Sequence, residues 1–149
     1  MHIWVDADAC PNPIKDILFR AAQRCKVPLT LVANHHLSIP KSPLIKFQQV
    51  ESGFDVADNY IAQRVNPGDI VVTQDIPLAA EVIEKHTEVI SPRGEHYTKA
   101  NIRQRLAMRN LMEELRSIGE VSGGPASMGK LERQQFANVL DRLLAKKST

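Results

Sequence analysis

Apolar positions along this chain follow two alternating repeats. Short runs rich in β-branched and apolar residues, HIWVDA (2–7), LTLVAN (29–34), LIKFQQV (44–50), IVVTQD (70–75) and TEVIS (87–91), read as strands. Between them the apolar residues return at helical spacing. Ile14, Ile17, Leu18, Ala21 and Cys25 follow Asn12-Pro13, which offers a cap and an N1 proline. Pro28 ends that helix, and His35 to Pro43 is a loop. Gly53 precedes a helical stretch from Asp55 to about Val65, and Asn66-Pro67-Gly68-Asp69 is a turn. Pro77 opens a helix carrying Leu78, Ala79, Val82 and Ile83. IVVTQD is apolar enough for a central strand of a parallel sheet. The alternation, with short links, predicts an α/β fold: a doubly wound, mostly parallel sheet flanked by helices.

Beyond residue 98 the pattern is helical only. Residues 98–118 read as one or two helices, Ser122-Gly123-Gly124-Pro125 as a breaker, and a final helix from about Lys130 lines up Phe136, Val139, Leu140, Leu143 and Leu144. About 50 residues make a poor core alone, so 98–149 is expected to be a helical, basic extension of a single domain spanning 1–149.

Composition changes this picture little. At 149 residues, 43% hydrophobic and 24% charged, the chain is an ordinary globular one. No apolar run approaches the ~20 residues a membrane span needs. MHIWVDADAC has no basic segment ahead of an apolar one, so the expected compartment is the cytoplasm. Cys10 and Cys25 lie at opposite ends of one predicted helix, about 22 Å apart, too far for a disulfide. Neighbouring carboxylates are expected to raise the Cys10 pKa. Charge is uneven: residues 1–91 hold 8 Lys/Arg against 11 Asp/Glu, and residues 92–149 hold 11 against 6. That asymmetry suits a polyanion held near a cation site.

The chemistry is in the aspartates. Ligands of open α/β sheets bind at strand C-termini, and two predicted strands end in Asp6 and Asp75. Asp8 shares a face with Asp6 if the strand continues, and Asp55 and Asp58 share a helix face. Carboxylates ~5 Å apart at an effective dielectric near 20 repel by about 3 kcal/mol per pair, so such a cluster takes up protons or a cation. An all-oxygen donor set favours Mg²⁺ or Mn²⁺. The structural alternatives are helix-dipole roles for Asp55 and Asp58 and a turn role for Asp8. Asp69 is expected to be a turn residue only.

VDADACPNPIKDIL, VAN (32–34), GFDVADNYI (53–61), GDIVVTQDIPLA (68–79), SPRGEHYT (91–98), NIRQRLAMRN and GGPASM together resemble the YaiI/YqxD family of uncharacterised proteins over nearly the whole chain. Asp6 closing the first strand, an acid in a middle helix and Thr73-x-Asp75 closing a central strand also look like PIN-domain nucleases. That resemblance implies a PIN-like fold and RNA hydrolysis with Mg²⁺ or Mn²⁺ held by three or four acids. Asp6 and Asp75 match its pattern, Asp58 or Asp55 stands for the middle acid, and Thr73 is similar to its hydroxyl residue. Ile76-Pro77-Leu78 lacks the further acid many PIN domains carry there, and Asp8 is the candidate substitute.

The expected function is therefore a metal-dependent ribonuclease, with Asp6, Asp58 and Asp75, or Asp55, as ligands and Asp8 as an outer ligand or water-orienting group. Arg93, Arg103, Arg105 and Arg109 are candidates for contacting RNA phosphates. Aromatics at 5% and away from the basic residues offer no base-stacking platform. Two alternatives stand beside it. One is a non-catalytic metal-, nucleotide- or RNA-binding protein. The other rests on a resemblance to haloacid dehalogenase-type phosphatases, with Asp6 as nucleophile and Asp8 as acid.

Overall fold

A computed structural model describes residues 1–53, 55–119 and 128–146. The elements are β1 (Ile3–Asp6), a 3-10 turn (Ala7–Ala9), α1 (Asn12–Cys25), β2 (Leu29–Ala33), β3 (Ile45–Gln49), α2 (Val56–Arg64), β4 (Ile70–Val72), α3 (Ile76–Ile83), β5 (Glu88–Ile90), β6 (His96–Tyr97), α4 (Ile102–Ser117) and α5 (Lys130–Ala145). The expected breaker at 122–125 lies outside the described residues.

The six strands form one sheet in the order β3-β2-β1-β4-β5-β6. Every pairing is parallel except the antiparallel edge pair β5–β6. The fold is α/β and mostly parallel, as the alternation predicts. The chain builds outward from β1 to β2 and β3, then crosses to β4 and β5 on the other side. The strand order thus reverses between β1 and β4, where open sheets open a crevice at their C-terminal edge.

Both faces of the central strands are covered, so β1, β2, β4 and β5 are largely apolar, while the edge strand β3 exposes Lys46, Gln48 and Gln49. Ile3, Val5, Leu29, Leu31, Ile70, Val72 and Ile90 meet α1 and the Phe136, Leu140 and Leu143 stripe of α5. Trp4, Val32, Val71 and Val89 meet Ile61 of α2, Leu78 and Val82 of α3, and Ile102 of α4. α4 buries little else: its Met108 and Leu111 are exposed, as is Ile118 just beyond it.

Local chemistry moved several boundaries. The strand expected over 70–75 stops at Val72, because the Thr73 hydroxyl accepts from Asp75 N (2.9 Å) and Asp75 Oδ1 accepts from Leu78 N (2.9 Å). These local bonds compete with the ladder and start α3 instead. Asn12 is the first residue of α1 rather than its cap, with Pro11 preceding it. β6 had no periodic signal. It exists because the turn closed by Ser91 N donating to Glu95 O (2.8 Å), with Gly94 at φ +88°, folds the chain back onto β5. No helix among the described residues is long and apolar enough to cross a membrane.

Candidate acidic site at the sheet crossover

Asp6 is the last residue of β1, and Thr73 follows β4 beside it. The buried Thr73 hydroxyl donates to Asp6 Oδ2 (3.0 Å) while accepting from Asp75 N, so one side chain ties the two strand ends together. Asp75 caps α3 through Oδ1. Asp58, in the first turn of α2, hydrogen-bonds the Asp75 side chain. Burial pushes the Asp58 carboxyl up to about 8, helped by that hydrogen bond and by the charges of Asp75, Asp6 and Asp55. Asp6 is raised as well, mainly by burial and then by Asp75 and Asp8, against the Thr73 hydrogen bond. Three carboxyl groups from β1, α2 and the α3 cap meet at the C-terminal edge of the sheet, where burial and their mutual repulsion raise Asp58 and Asp6.

Two acids named from the sequence sit differently. The 3-10 turn after Asp6 ends the strand, so Asp8 does not share its face. Asp8 accepts from Asn34 N through both oxygens (3.0 and 3.1 Å) and pairs with His35 Nδ1 (3.0 Å), tying the β1 turn to the loop after β2. Asp55 is exposed, at φ 65° just before α2, and makes no side-chain cap. Its charge still reaches Asp58.

Three of the four arginines on the far segment are matched locally. Arg93 lies 3.9 Å from Glu132, Arg105 pairs with Glu95, and Arg109 pairs with Glu113 at 3.0 Å. Arg103 is exposed and has no ion pair among the described residues. Cys10 is buried, and burial more than the Asp6 charge pushes its thiol up to about 12, against the pull of Lys15, so it is no nucleophile.

Asp69 is more than a turn residue. At 4% exposure it accepts from His2 N (3.0 Å), Trp4 Nε1 (3.1 Å) and Asn66 N (2.9 Å). Sequence reasoning also missed Asn34 and Gln74, whose side chain donates to Ala9 O (3.1 Å). Their polar character next to strand ends was the only signal available.

The donor set is hard, all oxygen, and charged. Among the described residues no group of three or more His, Cys, Asp or Glu side chains forms a ready-made metal cage. A closed structural zinc centre does not fit this. Asp6, Asp58 and Asp75 present hard oxygen donors only, the donor type that Mg²⁺ and Mn²⁺ take.

A family model described as the uncharacterised YaiI/YqxD family matches residues 4–146. The chain is 62% identical over 148 residues to a UPF0178 protein of Hahella chejuensis, covering 99% of each. It is 63% identical over 144 residues to one of Bordetella petrii, covering 97% of this chain and 96% of the relative. One from Psychromonas ingrahamii is 59% identical over 151 residues, covering 100% of both. No solved structure matches.

Proposed function

Because the chain belongs to the YaiI/YqxD family, whose description names no reaction, we propose a function from the acidic site alone: metal-dependent hydrolysis of RNA phosphodiesters. The observation that carries this reading is the convergence of Asp6, Asp58 and Asp75 where the strand order reverses, braced by the Thr73 hydroxyl. The resemblance to PIN-domain nucleases supports it.

Asp6, Asp58 and Asp75 are the residues that would hold Mg²⁺ or Mn²⁺, with Asp55 contributing field rather than a bond. A bound ion of this kind supplies charge for the phosphate oxygens and acidifies a water. The rest is done by the protein. Thr73 fixes the Asp6 carboxylate, and the α3 cap fixes Asp75, so both ligands are preorganised. A cation held there would displace a proton from Asp58, whose carboxyl is raised, so binding would be coupled to proton release. Asp8, held by Asn34 and His35, stiffens the turn that carries Asp6.

The test compares wild type with Asp6→Asn on a labelled oligoribonucleotide in Mn²⁺ and Mg²⁺. Wild type should cleave and the variant should lose at least ~100-fold in rate, a loss of about 2.7 kcal/mol of transition-state stabilisation. Without metal the variant should melt at or slightly above the wild-type temperature, because it removes one of several repelling charges. A variant that melts lower yet still cleaves leaves Asp6 as scaffolding. No cleavage by wild type in any divalent ion favours the binding-protein alternative.

A further inference from the structure

The arginines paired on α4 leave unmatched positive charge on another surface. α1 and α5 lie side by side on one sheet face and run in the same direction, with Arg24 and Asp141 joined at 2.7 Å. A groove opens between them. Its first part, about 380 Å³, is bordered by Asp16, Arg20, Lys130 and Arg133. It continues past Arg20 into a second part of about 300 Å³, bordered by Arg24 and Asp141. Ile17 and Ala137 line both parts. Four cations thus face two acids, and one of those acids is already held by Arg24. Arg20, Lys130 and Arg133 make no ion pair among the described residues, unlike Arg93, Arg105 and Arg109.

The location matters as much as the charge. α1 begins directly after the turn that follows Asp6, so its first turns stand at the edge of the sheet that carries the acidic site. The groove therefore leads away from that edge down the α1/α5 face.

We infer that the α1/α5 groove holds the sugar-phosphate backbone of a single-stranded RNA that extends from the acidic site. The inference takes the identity of the polyanion from the phosphodiesterase reading. Arg20 and Arg24, one helical turn apart, repeat at about 6 Å, a spacing suited to successive phosphates on an extended strand. The apolar floor suits ribose faces, and the concave shape suits a strand rather than a flat membrane surface. The lining holds no aromatic side chain, so contacts are sequence-tolerant.

The probe is a fluorescent single-stranded oligoribonucleotide titrated in EDTA, where no cleavage occurs, across a range of salt. The Arg20→Ala/Lys130→Ala/Arg133→Ala triple should bind at least ~10-fold more weakly and lose about 2 units of salt slope, near 0.7 per phosphate contact. The Arg103→Ala/Arg105→Ala/Arg109→Ala triple should keep a near-normal slope. If the groove triple melts early, the exposed double Arg20→Ala/Lys130→Ala supplies the comparison, with a loss of about 1.4 slope units. Unchanged binding by the groove variants, absence of RNA binding by wild type, or equal competition by poly-glutamate would overturn the inference. Groove-dependent binding without cleavage keeps it and removes the nuclease reading. Cleavage by a groove triple that keeps wild-type KM does the reverse.

Discussion

Asp58 is the most informative single residue because its proton reports on its neighbours. Its folded pKa, about 8, lies above the ordinary value of 3.8. A raised pKa stabilises the fold fully below about pH 4, and that stabilisation is lost as pH rises through about 8. Metal-free protein should therefore melt progressively lower from pH 4 to 8, and Mn²⁺ should recover the loss at pH 8. Asp58→Asn should flatten this trend. The side chain is half-buried and partly screened, so the expected gain at pH 8 is about 1 kcal/mol, or roughly 2–4 °C. Coincident melting curves for mutant and wild type from pH 4 to 8 would deny Asp58 its charged neighbours. Asp69→Ala tests a different kind of aspartate. Removing it strands Trp4 Nε1 and two backbone amides, for an expected loss of about 3 kcal/mol by denaturant titration. The sequence exposed Asp6 and Asp75 by their strand-end positions and Asp58 by its helical spacing from Asp55. It hid the partners of Asp8 and Asp69, because Asn34 and Trp4 are far away in the chain and meet them only after the sheet assembles.

Elements show why one glycine counts more than another. Gly68 and Gly94 share φ +88°, but a Cβ at Gly68 meets nothing within 4 Å, while at Gly94 it would stand 2.7 Å from the α5 backbone at Gln135 and Phe136. Both alanine variants carry left-handed strain of about 1 kcal/mol. Only Gly94→Ala should also pry α5 from the β5–β6 turn, for a total of about 3 kcal/mol or more. Chemical denaturation of the pair isolates the docking contribution by difference, and equal losses would show that α5 yields at no cost. Most elements were legible because buried strands are unbroken apolar runs and α1 and α5 carry strong stripes. β6 was not, since two residues carry no periodicity and the Ser91–Glu95 turn creates it. The end of β4 was misread because Thr73 and Asp75 look like strand residues until their side chains take the backbone hydrogen bonds.

Across the whole molecule, protection should follow burial. β1 and β4 are central and covered on both faces, whereas α4 buries Ile102 among its 16 residues. Hydrogen exchange should leave the amides of β1 and β4 protected to the global unfolding limit while α4 opens locally. Slow exchange throughout α4 would reveal a cover over Met108 and Leu111 in solution. The α/β class was legible from the alternation, but the face covered by α5 was not, because a helical stripe names no partner. That face also bears on synthesis. Ile3 and Val5 are made well before Phe136, Leu140 and Leu143, which seal them. At ~5–20 residues per second, the nascent chain carries an open hydrophobic face for on the order of ten seconds. Folding is therefore expected to wait for α5 to leave the ribosome, with chaperones shielding the emerging strands. A translation product stopped before Lys130 should become a substrate for quality-control proteolysis.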